Sequence, residues 1–373
     1  MKIHTITSHD VYNYGASLQA YSLMIYLQNN GHECQVIDYK PEYARGRYNF
    51  WYIDSNKKYS SILKLWPIRI IVCSILAPMR FRTIARKNRF DRFTKNYLNL
   101  TKRYRTFEDL QQENWHADAF IVGSDQVWNT DHSNGRDLAN YLAFAPKKAR
   151  KISYAASFGM DTIIPIYQPM VRDNLQTFNF ISVRESTGVN LLAKMGLEST
   201  HVVDPVFLNS ATFWSQLADK ACKQTKKYIL VYDFGNSPFI RKFVIHLSQC
   251  TKLPIYSLND FVTHSYADKN INDAGPLEFL SLIKNASYFV SNSFHGTAFS
   301  IIFHVPFFVF LRRFGNVNSR MQDLLQLLNL ENRIIENENQ FDKWKYKIDF
   351  ENSDIQIAER IRISKNVLLK CLE

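Results

Sequence analysis

The sequence predicts an α/β protein of two domains built on open parallel sheets, and three observations predict it. Short apolar runs that read as buried strands alternate with helical stretches along most of the chain. Polar loops carrying glycine follow the carboxyl ends of several of those runs. The length, 373 residues, suggests two domains rather than one.

Residues 287–309 organise the rest. An apolar strand, 287–290, runs into the small polar segment 291–297, Ser-Asn-Ser-Phe-His-Gly-Thr. A short buried helix from 298 and a strand after Pro306 follow. The polar cluster thus lies at the carboxyl end of a strand, where the next helix directs free N–H groups and the positive end of its dipole into a crevice. His295 sits there, with Gly296 after it to permit close backbone approach, and an imidazole titrates where proton transfer at neutral pH needs it. His295 is therefore the first candidate for catalysis.

A hydrophobic content of 46% with 21% charged residues describes a globular chain with a sizeable core. The net charge of +12 favours acidic partners, such as anionic lipid or phosphate-bearing substrates. Five scattered cysteines without a CxxC pair argue against a disulfide framework and a zinc site, and fit a reducing cytoplasm. The first residues lack the apolar core of a signal peptide, and no run approaches the ~18 apolar residues of a membrane span.

Residues 1–7 read as a strand, 16–29 as a helix stopped by Asn30-Gly31, and 32–39 as the strand that completes a βαβ unit. Its first loop holds one glycine, Gly15, so no dinucleotide fingerprint is present. Residues 42–110 break the rhythm as a helical, basic insertion. An apolar stretch beginning at Trp66 precedes ten basic residues between 80 and 105, set against one acid, Asp91. That arrangement suits attachment of 66–105 to an anionic membrane face, and no recognised nucleic-acid module surrounds it. The strand 115–122 ends in Gly123 to Asn129, where Asp125, Gln126 and Asn129 offer hydrogen bonds and Trp128 a face for sugar stacking. Arg184 closes another strand and can hold a carboxylate or phosphate. Asp204-Pro205 reads as the crossing between a first domain, 1–205, and a second, 206–373. The second repeats the strand–helix rhythm from 228 to 258, and its C-terminal helix, roughly 352–372, can return to the first domain.

Taken in order, six segments resemble the polysaccharide pyruvyl transferase family. They are 12–19 (Tyr-Asn-Tyr-Gly-Ala-Ser-Leu-Gln), 123–129 (Gly-Ser-Asp-Gln-Val-Trp-Asn), 182–185 (Ser-Val-Arg-Glu), 203–205 (Val-Asp-Pro), 293–297 (Ser-Phe-His-Gly-Thr) and 318–320 (Asn-Ser-Arg). The resemblance implies two Rossmann-like domains arranged like the GT-B glycosyltransferases, with the active site in the inter-domain cleft. It implies transfer of pyruvate from phosphoenolpyruvate, a co-substrate, onto two sugar hydroxyls as a cyclic ketal, without metal or other cofactor. His295 takes the family's catalytic position. The second domain is expected to bind the donor, through Ser293, Gly296, Thr297, Arg312, Arg313 and Arg320, joined by Arg184 from the first. The first is expected to bind the acceptor, through Asn13, Tyr14, Gly15, Ser124, Asp125, Gln126, Trp128 and Asn129. Ser293 departs from the family, whose better-studied members carry arginine there; Arg184, Arg312, Arg313 or Arg320 can supply the charge.

The implied setting is the cytoplasmic face of the membrane, with a polyprenyl-diphosphate-linked sugar as acceptor and no nucleic acid. Two other readings compete: a nucleotide-sugar glycosyltransferase of the same architecture, for which Glu278 is a poor ribose partner, and a noncatalytic glycan-binding assembly protein.

Overall fold

The computed structural model describes residues 1–44, 67, 70–72, 74, 84–221, 226–260, 262–312 and 318–373. In the first half, strands β1 (Lys2–Ile6), β2 (Glu33–Tyr39), β3 (Leu100–Tyr104), β4 (Ala119–Val122) and β5 (Arg150–Ser153) form one parallel sheet in the order β3-β2-β1-β4-β5. Helix α1 (Tyr14–Asn29) joins β1 to β2, α2 (Ile84–Tyr97) leads into β3, and the short α3 (Phe107–Gln111) precedes β4. The pair β6 (Ser182–Val183) and β7 (Thr200–His201) extends this half beside β5, with α4 (Gln168–Leu175) and α5 (Ser186–Lys194) around it. Helix α6 (Ala211–Ala218) follows the Asp204-Pro205 turn.

The second half repeats the plan. Strands β8 (Ile229–Tyr232), β9 (Ile255–Leu258), β10 (Lys269–Ile271), β11 (Tyr288–Ser291) and β12 (Phe307–Val309) run parallel in the order β10-β9-β8-β11-β12. They alternate with α7 (Pro238–Thr251), α8 (Pro276–Lys284), α9 (Phe294–Ile302) and α10 (Ser319–Leu327), and α11 (Phe350–Lys370) ends the chain. The central strands β4, Ala-Phe-Ile-Val, and β8, Ile-Leu-Val-Tyr, are buried at every position, because helices cover both faces of such a sheet. In each sheet the strand order reverses beside the first strand, between β1 and β4 and between β8 and β11, and a crevice opens at each reversal.

The basic segment differs from its sequence reading. Its second part continues the α/β rhythm, with α2 as the crossover and β3 as the sheet edge. Helix α2 is also wedged between the halves. Arg86 is 1% exposed, lies over the rings of Tyr14 and Phe90, and pairs with Asp260 at 2.9 Å. Arg89 reaches Asp273 at 3.0 Å. A guanidinium so enclosed cannot also meet a membrane. Trp66, Arg80 and Arg82 lie outside the described residues.

Aromatic packing fixes the two halves together. Tyr14 of α1 stacks on Phe279 of α8 at 4.5 Å, and its hydroxyl donates to the Ala274 carbonyl at 3.1 Å. One apolar cluster runs through both halves, from Ile3 through Tyr14 and Leu230 to Leu368. Helix α11 packs back on the first half. Ser364 Oγ accepts from the Val203 N–H at 3.0 Å, and Arg150 donates to the carbonyls of Cys371 and Glu373 at 3.1 and 2.7 Å.

Candidate active site

Helix α9 starts earlier than the sequence suggests, so His295 stands in its first turn rather than in the preceding loop. Ser293 is the N-cap, its Oγ accepting from the Gly296 N–H at 3.3 Å. The Ser-Phe-His-Gly run thus presents His295 and Phe294 from a rigid helix end. Gly296 does allow a close approach, but to the fold: a Cβ there would stand 2.6 Å from the Phe289 ring of β11. The glycine that admits the imidazole is Gly15, in the opposite half. A Cβ on Gly15 would collide with the His295 ring at Nδ1.

On its other side His295 meets Asp204, with Nε2 and Oδ2 3.4 Å apart. Asp204 is 1% exposed, and three further groups converge on it. Arg184 pairs with Oδ2, Ser124 Oγ donates to Oδ2 at 2.9 Å, and the Val206 N–H donates to Oδ1 at 3.1 Å. Burial works to raise the Asp204 carboxyl, yet His295 and Arg184 outweigh it and hold the group well below the usual carboxylate range. The pair is therefore a histidine facing a buried, ionised carboxylate, a geometry in which the imidazole can carry a proton to and from a substrate held beside it.

Phe294 sits beside this pair, edge-on to His295 at 5.2 Å. The Arg184 guanidinium lies 4.7 Å above its ring and that of Arg320 5.8 Å. Arg320 is 9% exposed, and burial with the adjacent Arg184 charge pushes its pKa down to about 10, against the partial support of Glu185 and Asp125. Among the described residues, Arg184 Nε and Nη2, Arg320 Nε and Thr297 Oγ1 are buried without a hydrogen-bond partner. Groups of that kind are rarely left so, and guanidinium N–H groups so placed have the chemistry to donate to an anion. Arg312 is nearby, half-buried over Phe234 at 4.7 Å, and its charged form is disfavoured by burial. Arg313 lies outside the described residues.

Several expected acceptor contacts belong to the fold instead. Trp128 is 0% exposed, donates to the Asn140 carbonyl at 2.9 Å, and packs against Tyr141 and Phe158. It offers no stacking face. Tyr14 is held in the inter-domain core, and Asn129 is buried, joined to Gln126 Oε1 at 2.8 Å. Asn13 caps α1 by accepting from the Ala16 N–H at 3.3 Å. Ser124 joins the Asp204 cluster as described. Only Asp125, at φ +83, and Gln126 keep partial exposure on the first half's loop, along with Asn13. Glu185 does not pair with Arg184: its Oε1 accepts from Ser157 Oγ and from the Phe158 and Gly159 N–H groups, which shapes that loop. Glu278 accepts from the Gly275 N–H at 2.9 Å and faces Arg89 at 3.4 Å, so it is engaged in capping α8.

Asp204 was absent from the expected site, although it carries the charge that organises it. The signal was present, since Val-Asp-Pro is one of the ordered segments, but an Asp before Pro at a strand end reads equally as a turn.

The architecture has counterparts of known structure. UDP-GlcNAc 2-epimerase from Neisseria meningitidis superimposes with a TM-score of 0.53 at 11% identity, covering 99% of this chain and 100% of that one. The UDP-N-acetylglucosamine 2-epimerase from Rickettsia bellii gives 0.54 at 10%, over 100% and 96%. At such identities they establish two Rossmann-like domains in a GT-B-like arrangement, and no more. A search of curated proteins finds no match. The family model described as polysaccharide pyruvyl transferase matches residues 13–312, a span that contains Gly15, Arg184, Asp204 and His295. With that match across most of its length, the chain belongs to the polysaccharide pyruvyl transferase family, and it is a transferase.

Proposed function

We propose that the enzyme moves pyruvate from phosphoenolpyruvate onto two hydroxyls of a sugar in a surface-polysaccharide precursor. The observation that carries this reading is the buried His295–Asp204–Arg184 cluster, set beside Arg184 Nη2 and Arg320 Nε, which lack a partner among the described residues. Phosphoenolpyruvate bears a carboxylate and a phosphate, and paired guanidinium groups bind both kinds of oxyanion. Arg184 and Arg320 hold the donor, with Arg312 at the margin, and these supply the charge that Ser293 does not.

The imidazolium of His295 gives its proton to the vinyl CH2 carbon, which becomes a methyl group and leaves a cation at the adjacent carbon. A sugar hydroxyl bonds to that carbon and its proton returns to the imidazole. Phosphate then departs, protonated by the same group, and the second hydroxyl bonds to the resulting cation, closing the ketal as its proton passes to the imidazole and restores the imidazolium. Asp204 stays ionised throughout and stabilises the charged ring. Because the ring of His295 rests directly over Gly15, the first half holds the imidazole in place for the transfer.

The reading is tested by incubating the protein with phosphoenolpyruvate and glycan acceptors in D2O. Release of inorganic phosphate together with a ketal whose methyl group carries deuterium is expected. Phosphate release without ketal, or a ketal methyl free of deuterium, contradicts it.

We also propose that the acceptor is a polyprenyl-diphosphate-linked sugar met at the cytoplasmic face of the membrane. No helix among the described residues is long and apolar enough to cross a membrane. On α2 the exposed cations are Arg92 and Lys95, since Arg86 is buried. Arg92→Glu with Lys95→Glu should weaken binding to phosphatidylserine vesicles by about thirtyfold or more at low salt, each lost positive charge near the surface being worth about 1 kcal/mol. Equal binding by the variant removes α2 from the membrane proposal.

A further inference from the structure

A cavity of about 780 Å³ opens in the second half at the reversal between β8 and β11, among the residues that follow β8, β11 and β12. Its volume falls in the range of roughly 300–1,000 Å³ typical of ligand pockets. Phosphoenolpyruvate, three carbons and a phosphate, would leave most of it empty. The cavity shares Asn292, Phe310, Leu311 and Arg312 with a smaller hollow that is also lined by Phe294 and Arg320. It is therefore continuous with the donor cluster.

Its chemistry is not that of a phosphate cradle. The N-terminus of α7 faces it, but Pro238 has no N–H, the Ser237 N–H donates to Asp233 Oδ2 at 2.6 Å, and Ser237 Oγ caps Ile240 at 3.5 Å. Lys242 is matched by Glu338 at 2.7 Å, and Glu336 adds a second carboxylate to the rim. Against these, among the described lining residues, stands Arg312, which belongs to the donor side. Apolar surface comes from Phe234, Phe239 and Phe310, the last two edge-to-face at 5.3 Å. The part-exposed ring of Phe239, with carboxylates at the rim, suits an uncharged sugar, because C–H groups pack on rings and hydroxyls donate to carboxylate oxygens; Phe310 is buried behind it and Phe234 carries Arg312 on its face.

We infer that this cavity holds the sugar acceptor, so that the second half binds the sugar and shares the donor with Arg184 of the first half, which also contributes Gly15, Ser124 and Asp204 to the chemistry. The inference rests on the pyruvyl-transfer reading and deepens it. It also explains why Tyr14, Trp128 and Asn129 in the first half are buried rather than presented to a glycan.

The test measures binding of phosphoenolpyruvate, of a panel of nitrophenyl hexosides and of UDP to the wild type, Phe239→Ala and Glu336→Gln. Glu336 is exposed, so its variant keeps the fold even if Phe239→Ala does not. The expected result is hexoside binding at millimolar concentration by the wild type, weakened about tenfold by either substitution, with phosphoenolpyruvate affinity unchanged within about twofold. Absence of hexoside binding, hexoside binding untouched by both substitutions, or UDP bound in the cavity in place of a hexoside overturns the acceptor assignment. Weakened phosphoenolpyruvate binding in both variants gives the cavity to the donor and overturns it as well. Failure of phosphoenolpyruvate to bind the wild type, with hexosides still bound through Phe239 and Glu336, counts against the donor and leaves the cavity assigned to a sugar.

Discussion

Asp204→Asn is expected to destabilise the protein by about 3–5 kcal/mol at neutral pH, the cost of breaking a buried ion pair from one side. Asparagine can still accept the Val206 N–H, but it leaves the buried Arg184 guanidinium without its counter-charge and His295 without an anion. The pH dependence distinguishes this from a simple packing loss. Asp204 in the folded protein ionises below the ~3.9 of an unfolded aspartate, so its contribution is fully present above that pH and is lost as the pH falls below it. The difference between wild type and variant should therefore be constant from pH 5 upward and shrink in more acid solution, about pH 4 and below. Urea unfolding across that interval measures it; a difference that stays the same at pH 3 would mean that the carboxylate charge is not what is lost.

The second large effect is on turnover. His295→Gln should lower kcat by about 10²–10⁴-fold, the usual contribution of a positioned acid–base group, while donor affinity changes little because the arginines carry the oxyanions. Gly15→Ala probes the same ring from the other half, since its methyl group displaces the imidazole from Asp204 without altering a titratable group. Its kcat should fall by a similar order, about 10²-fold or more. If His295→Gln raised the KM for phosphoenolpyruvate and spared kcat, the ring would be a donor ligand rather than a proton carrier.

The parts of this architecture that were legible in the sequence are those with strong apolar runs. β4, β8 and β11 announce themselves because a strand covered by helices on both faces has no polar position. Two of the edge strands do not. β3, Leu-Thr-Lys-Arg-Tyr, and β10, Lys-Asn-Ile, face water along much of their length and read as basic or polar loop. The start of α9 was displaced because Gly296 in its first turn lowers helix propensity, although Ser293 was the N-cap signal that places it. Trp128 shows the opposite failure. Its polar neighbours suggested an exposed face, yet those neighbours bond to one another and the indole turns inward. Which member of a polar segment points to the core depends on contacts far along the chain, and for Trp128 these are Tyr141, Phe158 and Phe178. His295 itself was found because chemistry and position agreed. Asp204 was missed because its three partners, Ser124, Arg184 and His295, are 80, 20 and 91 residues away in sequence.

Binding of phosphoenolpyruvate by the cluster around Phe294 is read out by ligand-induced thermal stabilisation. Phosphoenolpyruvate at 100 times its dissociation constant should stabilise the wild type by about 2.7 kcal/mol, and Arg320→Gln should lose most of that gain while His295→Gln keeps it. No stabilisation of the wild type by phosphoenolpyruvate, or equal stabilisation of Arg320→Gln, would contradict the account.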